Sequence, residues 1–480
     1  MKNYLYISIC ICALFTLGSC DDEFLSVNDN PGIPSADNMS EILMLPGIEA
    51  QWSYEGIGNN SKLSLYHLGQ RTLMLRDPEN EINGFMSPGG HDLAWSRIYQ
   101  GALANARRLV NMAEMNGNSA YKGIGQLIEA VHWALIVDNY NDAPYTEALQ
   151  YPDNITPIFD KGEDIYVGIQ GLVDQAITNL QSPKNEVLPG SEDLIFKGNL
   201  DKWLKLAYSL KARYAMRLTY APGYTKTGQA DIVLAALNNG MESNDDDALL
   251  PHSSADNELN YYYQNIIDMS LENRMVPAYL IIEEMNALDD PRRAKLFDLS
   301  NFGDYRGYIN DGPNPTDMMD YSLVSLSYLR ADRPTVYMDY AEVSFLKAEA
   351  YVLKGEWVNA EMALKDGIRA DMEDLGVEEG DITTYLAGIS MPADEESGQA
   401  LVMLQKWMAN YVENYEIRYD FLRTGYPAFD FVTNNPNVVV GAENTIPQRL
   451  AYPASDIDKN PNFPEILVNP LVDKVFWDAK

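Results

Sequence analysis

Ala348-Glu349-Ala350-Tyr351-Val352-Leu353-Lys354-Gly355-Glu356-Trp357-Val358-Asn359-Ala360 has the pattern of two helices that meet at a tight turn. Ala348 and Ala360 are small enough to let two backbones approach closely. Gly355 supplies the turn, because a residue without a Cβ enters left-handed dihedrals freely. Tyr351 and Trp357 are the rings that fill the groove between the two helices. Upstream, Ala341, Phe345, Ala348 and Val352 fall three and four residues apart, so the first helix is expected to bury one face along its length.

The same spacing recurs through the chain. Trp95, Ile98, Tyr99, Ala102, Ala106 and Leu109 form one stripe. Trp203, Leu206, Ala207, Leu210, Tyr214 and Leu218 form a second, and Leu404, Trp407, Met408, Tyr411 and Tyr415 a third. Further helices are expected near 121–137, 164–181, 228–239 and 274–288, while strand patterns are scarce. The fold class is therefore mostly α, a scaffold of tetratricopeptide-like helix pairs without a regular period. Residues 244–263 and 299–334 break this pattern, being rich in Tyr, Asn, Asp, Gly and Pro. Loops this long in a compact protein are functional or disordered. Their aromatic content argues against disorder, so they are expected to be irregular ligand-binding loops.

Residues 1–19 read as a lipoprotein signal peptide. Lys2 precedes an apolar run from Tyr4 to Leu17, and Gly18 and Ser19 precede Cys20. The run is too short and wrongly flanked for a membrane-spanning helix. Leu17-Gly18-Ser19-Cys20 resembles a lipobox, in which Cys20 is acylated and becomes the mature N-terminus. The cysteine count agrees: of three Cys, Cys10 and Cys12 lie in the removed segment, and lipidation accounts for the unpaired third. The acyl chains would be the membrane anchor, at about 0.8 kcal/mol per buried CH₂. Residues 20–40, with acids after Cys20 and Asn28, Asn30, Pro31, Gly32 and Pro34, read as a flexible tether. Residues 41–480 then form one α-helical domain. The formal net charge is −35 and deepens by one when Lys2 is removed. That balance excludes nucleic acid as a partner, since its binding needs clustered Lys and Arg to displace counterions.

Catalytic patterns are missing. His67, His91, His132 and His252 are scattered, with no paired spacing for zinc. There is no Gly-x-Ser-x-Gly elbow, and a lipidated Cys20 is no nucleophile. Gly56-x-Gly58 and Gly123-x-Gly125 lack the third Gly of a dinucleotide site. No catalytic residue, cofactor or metal is expected. Asn244-Asp245-Asp246-Asp247 departs from the EF-hand pattern and reads as a solvated acidic turn. Five Trp in amphipathic stretches (Trp95, Trp133, Trp203, Trp357, Trp407), and Trp52, are assigned to the core. The candidate ligand platform is aromatic and lies in the irregular stretches: Tyr261, Tyr262, Tyr263, Tyr305 and Tyr308, with Asn260, and with Asn257 and Asp304 nearby. A Tyr ring offers a flat apolar face to pyranose C–H groups and a hydroxyl for hydrogen bonding. The two Tyr-rich loops are expected to meet over the scaffold. Arg213 and Arg217, four apart, are expected to pair with buried carboxylates such as Glu342 or Glu349, and Asp142 to cap the next turn.

Taken in order, several segments resemble the SusD/RagB family. They are Trp95-Ser-Arg-Ile-Tyr99; Asp138-Asn-Tyr140-Asn141-Asp142-Ala-Pro144-Tyr145-Thr-Glu147-Ala148, with Asn141 where Gly is usual; Pro157-Ile-Phe-Asp160; Trp203-Leu-Lys-Leu-Ala207; Asp290-Pro-Arg292; Tyr340-Ala-Glu-Val343; Arg423-Thr-Gly-Tyr426-Pro427; and Ile446-Pro-Gln-Arg449. The resemblance covers residues from about 40 onward. It implies a surface-exposed, outer-membrane lipoprotein that is not an enzyme. Such a protein captures a nutrient, with a glycan or oligosaccharide expected first, and delivers it to a SusC-like TonB-dependent β-barrel transporter. The alternatives are a surface glycoside hydrolase or other degradative lipoprotein, and a peptide-binding or helical-repeat adaptor.

Overall fold

A computed structural model describes residues 39–59, 68, 70–73, 92–264, 275–309, 317–411, 415–429, 447–464 and 468–480. The architecture is mostly α. The principal helices are α1 (Glu41–Gln51), α2 (Ala104–Asn116), α3 (Ser119–Tyr140), α4 (Gly162–Leu180), α5 (Leu200–Arg217) and α6 (Lys226–Leu237). They continue with α7 (Tyr279–Ala287), α8 (Tyr340–Leu353), α9 (Trp357–Asp374), α10 (Glu379–Ala387), α11 (Glu395–Ala409) and α12 (Glu416–Thr424). Most pack against their neighbours in sequence: α2 on α3, α3 on α4, α4 on α5 and α5 on α6. Helix α6 then meets α8, which packs on α9 and α11.

Local chemistry explains where these helices begin and end. Asn199 caps α5 by accepting the Lys202 N–H at 3.2 Å, and Asp201 and Arg217 sit at the ends whose dipole charge they complement. Asp339 caps α8 through the Glu342 N–H (2.7 Å), and Asp394 caps α11 through the Ser397 N–H (2.8 Å). Between α8 and α9, Gly355 turns the chain at φ +72°, as the spacing predicts.

Helix α3 is the centre of the main core, and every residue from Gly123 to Tyr140 on it is buried. Its two glycines are close-contact positions. A Cβ on Gly123 would lie 3.0 Å from the Ala176 carbonyl of α4, and one on Gly125 would lie 2.9 Å from Val110 of α2. The Gly-x-Gly pair thus lets three helices approach one another.

Some expected boundaries shift. The 95–109 stripe passes through wide π-type turns at Arg97–Leu103 before α2 begins. The segment expected as a helix from 274 opens as a strand, β3 (Met275–Pro277), paired antiparallel with β1 (Arg71–Leu73). A second two-stranded sheet joins β2 (Ala248–Leu250) to β4 (Thr335–Met338). The third stripe overran its helix: α11 stops at Ala409, so Tyr411 and Tyr415 lie beyond it, both buried.

Distant segments are tied by buried ion pairs. Arg213 makes two hydrogen bonds to Glu342, at 2.8 and 2.6 Å. Arg217 pairs with Asp138 at 3.2 Å and with Glu416. Glu349 takes Arg423 instead, at 2.7 and 2.8 Å. Removing one member of such a pair leaves an uncompensated buried charge, at about 3–5 kcal/mol. The Asp142 expectation is corrected: Asp142 accepts the Gly162 N–H that opens α4 (3.0 Å), while Asp160 accepts from Tyr145 and Thr146. Asn141 stands at φ +71°, a left-handed conformation that Asn tolerates and Gly adopts freely. Its side chain also accepts the Phe476 N–H at 2.6 Å, a bond glycine has no group to make.

Candidate functional site

Helix α1 ends in widened turns, Trp52–Asn59, and this segment builds one wall of a cleft of about 700 Å³. Trp52 turns inward and stacks on Tyr337, with ring centroids 4.1 Å apart. Tyr54 turns outward and is 45% exposed. Gly58 makes room for the opposite wall, because a Cβ there would lie 2.7 Å from the Tyr261 ring. Tyr261 accordingly meets Tyr54 edge to face at 5.1 Å. The Arg97 guanidinium lies 5.7 Å from the Tyr54 ring centre, within cation–π range, and 3.5 Å from Glu55.

The third side is the loop after β2. His252 holds it from both ring nitrogens: Nδ1 lies 3.1 Å from the Glu258 carbonyl and Nε2 lies 2.8 Å from the Thr335 hydroxyl. Burial lowers the His252 pKa below its ordinary value. Ser253 donates to the Glu258 carboxylate at 2.6 Å. Asp256, Asn257 and Glu258 line the cleft and are exposed. The cleft thus combines an accessible aromatic face with short polar side chains, a lining suited to a polyol.

The candidate platform residues are placed unevenly. Tyr261 lines this cleft. Tyr262 is buried in a smaller core with Ile281 and Trp407, and Tyr263 is half-buried. Asn260 is wholly buried and starts the helical turn that carries these rings. Its Oδ1 accepts the N–H groups of Tyr262 (2.8 Å) and Tyr263 (3.2 Å), and its Nδ2 donates to the Arg333 carbonyl (3.0 Å). That capping role occupies the groups expected to meet a ligand.

Tyr305 lines a different cleft, of about 800 Å³, with Tyr279, Glu283, Asp304 and Arg306. Arg293 covers its ring at 4.8 Å. Tyr308 is buried against Val276, and its backbone pairs with Pro277 and Tyr279. The expected single platform is therefore two clefts, because each Tyr-rich loop anchors its own rings locally. Tyr54 and Arg97 were missed; Tyr54 lies one turn before Gly58 in a stretch that reads as helix, where a ring is normally packed.

The acidic run is also occupied. Asp246 pairs with Lys205 at 2.8 Å, Asp247 accepts the Tyr340 N–H at 2.7 Å, and Asn244 donates to the Ala370 carbonyl. Among the described residues, no three His, Cys, Asp or Glu side chains are grouped to hold a metal. His132 is buried in α3, its pKa lowered to about 4 by burial, and it reaches neither cleft. Among the described residues no helix is long and apolar enough to cross a membrane. Cys20 and residues 1–19, expected to be a signal peptide, lie outside the described residues.

Three solved structures illustrate the likeness in fold. A SusD/RagB family protein from Bacteroides thetaiotaomicron is 24% identical, with a TM-score of 0.72, over 92% of this chain and 99% of that one. A chitin-binding protein is 23% identical, with a TM-score of 0.78, over 92% and 100%. A SusD homolog from Bacteroides fragilis is 21% identical, with a TM-score of 0.74, over 92% and 100%. No curated protein sequence matches the chain. A SusD-like family model, described as starch-binding and associating with the outer membrane, matches residues 47–453. That match begins in α1, runs through every helix to α12 and takes in both Tyr clefts, so the chain belongs to the SusD-like family.

Proposed function

We propose that this protein captures oligosaccharides at the cell surface, is held there by a lipid on Cys20, and passes its ligand to a SusC-like TonB-dependent transporter. It acts by binding and not by catalysis. The observation that carries the reading is the exposed Tyr54 ring, braced by Tyr261 and Arg97 above the polar loop at 251–259. A braced ring loses little freedom when a sugar stacks on it, so its contact area converts efficiently into affinity. The family description as starch-binding, and the chitin-binding relative, support a saccharide over a peptide.

The test is calorimetric titration of the purified mature protein with neutral gluco-, xylo-, manno- and chito-oligosaccharides. At least one should bind, and Tyr54→Ala should weaken it by about 10-fold or more, as for a stacked hot-spot ring. Cleavage of the bound sugar, or binding indifferent to Tyr54→Ala, would overturn the reading. Co-purification of a β-barrel transporter with the tagged native protein tests the delivery step.

A further inference from the structure

A third concavity, of about 780 Å³, lies between α2 and the turn at Leu149–Tyr151, outside both Tyr clefts. Its floor is one helical stripe in which Ala104, Arg107, Arg108, Asn111 and Met115 recur at three- and four-residue intervals. Opposite stands Tyr151, 84% exposed. Asp256 and Glu258 line one Tyr cleft, and Glu283 and Asp304 the other. No carboxylate among the described residues lines this third concavity. In a chain with 70 Asp and Glu against 35 Lys and Arg, a concavity that presents two guanidiniums and no lining carboxylate is an unusual local environment, although Arg107 is paired from beneath with buried Glu129.

The two arginines differ in state. Arg107 is fixed from below, its Nε 3.0 and 3.1 Å from the two oxygens of buried Glu129, which the Trp133 indole also holds at 3.1 Å. Arg108 is exposed and donates to the neutral Asn105 amide at 3.3 Å, with no carboxylate partner among the described residues. Its guanidinium leaves most of its fork of donors for a ligand, in the geometry that matches a carboxylate. Gln100 and Asn111 are exposed beside it and present planar amides.

We propose that this concavity is a second saccharide site that takes acidic oligosaccharides. Tyr151 stacks on a pyranose ring, Arg108 pairs with a uronate carboxylate, and Gln100 and Asn111 hydrogen-bond the hydroxyls. The inference rests on the capture reading above only for the class of ligand.

The test titrates the mature protein with trigalacturonate and with a glucuronate-bearing xylo-oligosaccharide, each against its carboxyl-reduced counterpart. At least one acidic probe should bind, and its reduced form should bind about 10-fold more weakly or worse. Arg108→Gln and Tyr151→Ala should each weaken the acidic probe by about 10-fold. Tyr54→Ala should leave that affinity unchanged, and all three variants should melt with the parent. No binding of either acidic probe, equal binding of the reduced forms, or binding lost with Tyr54→Ala and kept in Arg108→Gln would each overturn the proposal. Neutral-sugar binding that depends on Tyr54 would then still stand, so the two readings fail separately.

Discussion

Asp138 and Trp477 are joined by a 2.7 Å hydrogen bond across 339 residues of chain. The indole donates to a carboxylate that also accepts from the Tyr166 hydroxyl (2.7 Å) and lies 3.2 Å from Arg217 Nε. Burial pushes the Asp138 pKa up to about 6 against the pull of Arg217 and these donors. Trp477→Phe keeps a ring in the core and removes one donor from a buried carboxylate. The expected cost is about 1–3 kcal/mol in a urea titration. A loss within error would mean that the indole bond is replaced by other donors at no cost.

Glu49 gives a pH signature. It is fully buried beside Asp193, whose carboxylate is engaged by the Ile195, Phe196 and Gly198 N–H groups and the Trp203 indole. Burial first, and then the Asp193 charge, push Glu49 from the ordinary 4.5 up to about 10. A pKa raised on folding contributes stability that is complete below about 4.5 and is lost as pH rises toward 10. Glu49→Gln mimics the protonated group. Relative to the variant, the parent should lose up to about 1.4 kcal/mol per pH unit across that window. Parallel stability–pH curves for the two proteins would show that Glu49 is ionised in the fold.

Tyr262 and Tyr54 should separate cleanly. Tyr262 is 2% exposed, so Tyr262→Ala leaves a core cavity and should cost about 3–5 kcal/mol, lowering the melting temperature. Tyr54→Ala should leave melting nearly unchanged. A variant Tyr262→Ala as stable as the parent would argue that this ring is no part of the core.

Gly58→Val should strike the cleft through its wall. The added carbons meet the Tyr261 ring, which must move off Tyr54, at about 1–3 kcal/mol of overpacking. Saccharide affinity should fall along with stability, and a crystal structure of the variant should show the Tyr54–Tyr261 edge contact broken.

Anchoring is tested by Cys20→Ala, which should move the protein from the membrane fraction to the soluble one. Retention in outer membranes after a high-salt wash would mean that something other than an acyl chain holds it.

The helical array was legible because its signal is periodic and local. Apolar stripes marked α5 and α8, and the Gly355 turn joins α8 to α9 as its spacing requires. Asp142 and Asp160 were harder, since each caps the other's segment and no local spacing records that exchange. Glu349 met Arg423 and not Arg217 because partner choice among buried charges is set by tertiary geometry. The Tyr261–Tyr263 run was legible as unusual, but its side chains were sorted by the Asn260 cap and by Gly58, a residue two hundred positions upstream.

The tie between Asp138 and Trp477 sets an order on assembly. Helices α2 to α6 stack on their chain neighbours, so their contacts need no distant segment. The carboxylate at the end of α3 gains its indole donor only when the segment around Trp477 docks. A chain cut before Trp477 therefore leaves the buried Asp138 carboxylate with one donor fewer.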